Sequence, residues 1–218
     1  MVSYLIENWS MVLSQLGRQL TIIGIALPIA VVIGVPIGII VSNNRRVARV
    51  VVGVAGVLMT IPSLALFGLM VIILAPFDAG IGVPPAVTAI VIYSLLPMIR
   101  STLVAVQAVD PGMIRAARGM GMTNGQILTR VRLPLAVPVI MAGLRNAAVL
   151  GVSVTTIAYL VGAKGLGYFI FAGLSRTRLD MILTGAVIVG VLGVATNYLL
   201  LLVEDIITPK GIKISRTQ

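Results

Sequence analysis

The side chains that could do chemistry in this chain are few, and their placement excludes more than it permits. There is no histidine and no cysteine, so metal cages and nucleophilic triads built on those residues are ruled out. The six carboxylates, Glu7, Asp78, Asp110, Asp180, Glu204 and Asp205, all fall at the ends of apolar runs or between them. A proton-driven carrier ordinarily keeps an ionisable carboxylate at membrane depth, so this placement argues against one while leaving sodium coupling open. No GxxxxGK[ST] run is present, so ATP, if it drives this protein, is expected on another chain. No catalytic residue, metal site or cofactor is expected here.

What polar chemistry lies inside the apolar runs is therefore the next place to look. Arg145 interrupts a long apolar stretch, about 18 Å along a helix begun at Leu133, and a cation so placed needs company. Two accounts are open: an ion pair with Glu204 or Asp205, or contact with the carboxylate of a passing zwitterion. Thr60, Pro62 and Ser63 predict a local break, because Pro62 removes a backbone donor and leaves a carbonyl needing another partner. Such a break lines a watery path or is a simple kink. Tyr93 with Ser94, and Thr155 with Thr156, add polar groups that line a path or bond across packed helices, packing being the simpler account. Thr60, Pro62, Ser63, Tyr93, Arg145, Thr155 and Thr156 are the candidate pathway residues. Gly34 and Gly38 form GxxxG, a pattern for close helix contact.

The elements that position these residues must be membrane helices. With 59% hydrophobic and 10% charged residues, the chain is no ordinary soluble domain. Uncharged runs of the roughly 20 residues needed to cross about 30 Å of hydrocarbon extend over Leu20–Val41, Val50–Phe77 and Ala79–Ile99, and a last one over Met181–Val203. Leu133–Ala163, broken only by Arg145, is the fourth. The expectation is an all-α membrane protein of five spans, or six if the fourth region re-enters the membrane. Residues 1–19 lack the basic start of a cleaved signal and read as an interfacial segment with Trp9 at the headgroup level. Residues 20–205 form the membrane domain and 206–218 a cytoplasmic tail.

Cations orient the spans, since cytoplasmic loops retain Lys and Arg. Arg45, Arg46 and Arg49 follow the first span; Arg100, Arg115, Arg118, Arg130 and Arg132 separate the third from the fourth; Lys210, Lys213 and Arg216 are in the tail. All three groups fall on one side, which places the N-terminus outside and the C-terminus inside. Lys164, Arg176 and Arg178 soften the contrast. Topology and anionic lipid account for the net charge of +10 without a nucleic-acid partner.

The segment 110–134 is the part of the chain that looks built for another protein. Asp110 and Pro111 make an N-cap and first-turn pair, Gly121 suits the end of that helix, and Thr123 with Gln126 has the spacing of a capping box. A second short helix is expected to end before Pro134. The elbow would offer Met113, Ile114, Ala117, Ile127 and Leu128 as apolar contacts. Ala116, Ala117, Gly121, Val131, Leu133 and Pro134 fall at the spacing of the cytoplasmic EAA loop, and the segment resembles that loop in permeases of type I binding-protein-dependent ABC importers. Arg115 stands where that family most often has Glu, and Val131 where it most often has Ile. The resemblance implies a coupling loop that meets an ATPase, carried by Ala116, Ala117, Gly121, Leu133 and Pro134.

Further segments, TIPSLALFG at Thr60–Gly68, IYSLLPMIRST at Ile92–Thr102, RLPLAVPVIMAGLR at Arg132–Arg145 and ITPKG at Ile207–Gly211, resemble permeases of osmoprotectant importers. GAKGLG at Gly162–Gly167 departs from that family's glycine-rich run at Ala163 and Lys164. The resemblance implies import of glycine betaine, carnitine, choline or a related quaternary amine across the cytoplasmic or inner membrane. It implies as partners two ATPase subunits carrying ATP and Mg, an extracytoplasmic binding protein, and a second permease copy or homologue. Few aromatics are present to build a cage for a quaternary ammonium group, so selectivity is expected mainly in the binding protein. The other readings are an ABC permease for an amino acid or other small zwitterion, an ATPase-independent channel or secondary carrier, and a purely structural membrane subunit.

Overall fold

The computed structural model describes residues 2–208, and every regular element among them is helical. The expected tail motif beyond residue 208, with Lys210, Lys213 and Arg216, lies outside the described residues. In order, the elements are α1 (Val2–Glu7), α2 (Trp9–Val41), α3 (Arg45–Thr60), α4 (Ser63–Leu74), α5 (Val83–Gln107), α6 (Pro111–Gly119), α7 (Asn124–Ile127), α8 (Leu133–Ile157), α9 (Gly167–Ser175) and α10 (Leu179–Ile207).

Among the described residues four helical stretches are long and apolar enough to cross a membrane: Trp9–Val41, Val83–Gln107, Asn124–Val161 and Leu179–Ile207. A fifth span exists if α3 and α4 are taken as one, although they are bent by 98° at their junction. The expected second span over Val50–Phe77 is thus two helices, parted at the break that Thr60, Pro62 and Ser63 predict. Among the described residues no sixth helix is long and apolar enough to span. The fourth region stays helical through Val161, and α9, nine residues long, reaches only about 14 Å.

The first helix also differs from expectation, because the break falls at Asn8 rather than near residue 19, and α2 runs unbroken from Trp9. At 33 residues it is about 50 Å long, more than the hydrocarbon layer requires. Its early turns have tertiary work: Tyr4 and Val12 join Leu166, Phe169, Ala172 and Met181 in a buried cluster. Tyr4, Leu5, Val12 and Leu16 thereby pack this stretch against α9 and the start of α10.

The main core lies where α2, α4, α5 and α8 meet, around Ile22, Ala26, Phe67, Ala89, Ile90 and Val154. Small residues let the backbones approach. A Cβ on Gly34 would stand 2.6 Å from Met98 Cβ, and one on Gly38 would stand 2.6 Å from Thr102 Cβ, so the GxxxG pair is the α2–α5 contact its spacing predicts. Gly143 does the same for α8 against α5, where a Cβ would lie 1.9 Å from Ser101 Oγ.

Gln19 is a polar exception, fully buried on α2. Its Nε2 donates to the Val152 carbonyl at 3.3 Å, and its Oε1 accepts from Leu166 N–H at 2.9 Å. One side chain thereby ties α2 to α8 and to the turn that follows it. Both halves of the amide are paired, as a buried polar group requires.

Candidate functional site

The elbow forms as its local chemistry dictates. Asp110 Oδ1 accepts from Gly112 N–H at 2.8 Å, with Pro111 opening α6. Gly121 takes φ +80° at the turn, a left-handed conformation in which a side chain is strained, and its N–H donates to the Arg118 carbonyl at 2.9 Å. Thr123 and Gln126 complete the reciprocal capping box at 2.8 and 3.3 Å.

Two features of the elbow depart from expectation. The second helix does not stop before Pro134. It widens into a π turn over Leu128–Arg132, where Leu133 N–H reaches back to the Leu128 carbonyl, and continues as α8. Widening the turn ahead of a proline makes room for the ring and the missing donor, so α7 and α8 are one helical rod. The apolar face also points elsewhere. Ala117 and Ile127 are each only 2% exposed, within the elbow itself, whereas Met113 and Met120 stand 50% and 75% exposed. Arg115, Ala116 and Arg118 are exposed beside them, and Leu133 and Pro134 are half-buried.

The candidate pathway residues separate into three places. Thr60, Pro62 and Ser63 lie at the 98° bend, where the Tyr93 hydroxyl donates to the Ile61 carbonyl. Pro62 thus makes the bend, and the Tyr93 hydroxyl serves the Ile61 carbonyl, which receives no backbone N–H at the break. Thr155 and Thr156 are buried and bond back within α8, to the Gly151 carbonyl at 2.6 Å and the Val152 carbonyl at 3.0 Å, the ordinary behaviour of a helical Thr. Arg145 Nη1 donates to Glu204 Oε2 at 2.6 Å, joining α8 to α10, with the two side chains 20% and 5% exposed.

A cavity of about 1270 Å³ opens between α5, α8 and α10, and none of those seven residues is among its lining. Its polar groups come from Arg100, Ser101, Asn146, Ser153, Asn197 and Tyr198, set in an apolar wall. Sequence reasoning passed over all six as pathway residues. The available signal was Asn146 and Asn197, strongly polar side chains inside spans, but only the fold shows that they face one space. The same helical rod that begins in the elbow carries Asn146 and Ser153.

Residues 30–212 match the binding-protein-dependent transport system inner membrane components. The chain belongs to that family. It is 40% identical to the osmoprotectant import permease protein OsmW of Salmonella typhimurium, over 97% of this chain and 99% of that one. It is 40% identical to the carnitine transport permease protein OpuCB of Listeria monocytogenes, over 99% and 96%. The choline transport system permease protein OpuBB of Bacillus subtilis is 33% identical, over 97% and 95%. Inward-facing MetNI methionine ABC transporter structures share the fold, with a TM-score of 0.83 at 20% identity over 93% of this chain and 99% of that one. As an inner membrane component of this family, the chain holds both the elbow and the cavity within the matched residues, while Gln19 and the cluster around Tyr4 include residues that precede them.

Proposed function

We propose that this chain is the membrane-spanning permease subunit of an ATP-driven importer for a quaternary-amine osmolyte such as glycine betaine, carnitine or choline. The observation that carries the mechanism is the continuous helix Asn124–Val161, whose first turns form the elbow and whose middle walls the cavity. An ATPase subunit closing on the elbow would move α8 as a rod and change the cavity it borders. The relatives named for osmoprotectant, carnitine and choline transport support the substrate class.

In this reading ATP and Mg stay on the partner ATPase, an extracytoplasmic binding protein delivers the solute, and a second permease copy or homologue completes the pathway. The basic groups around Arg45 and Arg118 face the cytoplasm. The cavity has one aromatic lining residue, Tyr198, too few for a cation cage. It is a weakly holding passage, and affinity is left to the binding protein.

The test is ATP-dependent uptake of labelled glycine betaine into proteoliposomes holding this chain with its candidate ATPase and binding protein, beside Gly121→Asp. A side chain at φ +80° strains the turn by about 1 kcal/mol or more, so the variant is expected to lose uptake. Binding-protein-stimulated ATP hydrolysis without betaine uptake would keep the machine and reject the substrate.

A further inference from the structure

The cavity between α5, α8 and α10 has a single charged residue in its lining, Arg100. No carboxylate borders it, and Arg100 has neither an ion-pair nor a hydrogen-bond partner among the described residues. Arg145, the neighbour of Asn146 on α8, is by contrast held by Glu204 at 2.6 Å. Asn146, Asn197 and Tyr198 likewise line the cavity without a side-chain hydrogen bond among the described residues. Ser101 and Ser153 turn back to their own helices, at the Met98 and Val149 carbonyls. One cation and three neutral polar groups are thus left to whatever occupies the space.

Helix packing sets two of these groups at nearly one level. Gly151 of α8 meets Ile90 of α5, and Gly143 meets Ser101, so the two helices run antiparallel in contact. Arg100 and Asn146 therefore stand within about one turn of each other, roughly 5 Å along the axis. Arg100 also lies about 10 Å short of the end of α5 at Gln107, within the helix rather than in the loop beyond it. A guanidinium presents a rigid fork of donors that matches a carboxylate, and the two asparagine amides add neutral donors and acceptors beside it.

We propose that Arg100 selects charge inside the cavity: it receives the carboxylate of a zwitterionic osmolyte and disfavours a solute whose quaternary ammonium has no carboxylate to balance it. The inference rests on the importer reading and narrows its substrate class. Glycine betaine and carnitine are zwitterions, whereas choline carries a net positive charge. Beside an apolar wall the repulsion between that charge and Arg100 is weakly screened. The binding protein chooses the solute first, and Arg100 discriminates again after release.

The test is ATP-driven uptake of labelled glycine betaine and of labelled choline into proteoliposomes holding the chain with its ATPase and saturating binding protein. Wild type is compared with Arg100→Gln and Arg100→Lys, in zwitterionic and in mixed anionic lipid. One binding protein serves every variant, so its own preference cancels in the comparison. Arg100→Gln is expected to lower betaine uptake by about tenfold and to hold or raise choline uptake, with Arg100→Lys within about threefold of wild type. The thermal midpoint should hold, since Arg100 has no partner in the chain to lose. Betaine uptake left unchanged by Arg100→Gln would overturn the proposal, whether or not the binding protein delivers choline, and so would an equal loss of both solutes. A loss confined to anionic lipid would assign the guanidinium to headgroups and overturn it too. If the wild-type chain takes up neither solute, the importer reading falls as well; wild-type uptake with indifferent variants strikes the charge selection alone.

Discussion

Arg145 shows how one residue can be legible in kind and undecided in role. A cation 12 positions past Leu133 must have a partner at that depth, and the chain offered Glu204, Asp205 or a substrate. The structure supplies Glu204 at 2.6 Å. The carboxylate is 5% exposed, so removing the arginine strips a partner from a buried charge. Arg145→Gln is expected to cost about 2–4 kcal/mol, discounted from the full penalty of a broken buried pair because the guanidinium keeps some solvent. Thermal unfolding of the detergent-purified chain checks this. The reversed pair, Arg145→Glu with Glu204→Arg, should recover part of the loss; no recovery would show that the surrounding dipoles, rather than the partner, hold each charge. A loss of uptake by Arg145→Gln at unchanged stability would instead favour a substrate contact.

At the scale of elements, the bend between α3 and α4 is a polar problem solved by a third helix. Pro62 cannot donate, Leu58 receives only the Ile61 N–H at 3.4 Å, and the Ile61 carbonyl is taken by the Tyr93 hydroxyl. Tyr93 is 8% exposed, so water does not readily replace it. Tyr93→Phe keeps the ring and orphans the carbonyl, with an expected cost of about 1–3 kcal/mol. Hydrogen exchange at residues 58–66 should rise in that variant and stay level at α9. Equal protection throughout would mean that the bend is held by Leu66 and Phe67 packing in the core and not by the hydroxyl.

Across the whole molecule, α10 is fastened near its start and near its end and borders the cavity between them. Near its start, Gly173 of α9 packs on Ile182, and Gly185 packs on Phe169 and Ile170; near its end, Glu204 holds Arg145. Between these anchors lie Gly190, Gly193 and Asn197, which border the cavity with Asn146 across from them. Replacing both asparagines with leucine is expected to lower osmolyte uptake more than tenfold by removing the polar groups that substitute for water along an apolar wall. Assembly with the ATPase should be unaffected, because neither residue belongs to the elbow at 110–134. Uptake kinetics and co-purification measured on the same preparation separate the two effects, and unchanged uptake would remove the cavity from the pathway.

The sequence by itself determined the class of protein, most of the helices and the elbow's caps, because apolar run length, proline placement and Asx or Ser/Thr capping act over a few neighbouring residues. Asp110, Pro111, Gly121, Thr123 and Gln126 do in the structure what their spacing predicts. It did not determine that α7 runs through Pro134 into α8, since the π turn that absorbs the proline depends on the packing of the rod. Nor could it turn the elbow's faces: Ala117 and Met113 are both apolar residues on one short helix, and only contact with the body of the elbow buries the first and leaves the second outside. The cavity is the clearest case. Asn146 and Asn197 are 51 positions apart on two helices, and helix periodicity says nothing about which faces of separate helices meet. That choice belongs to close packing between distant segments, through Gly143, Gly173 and Gly185 and the Arg145–Glu204 pair, and it exists only in the folded chain.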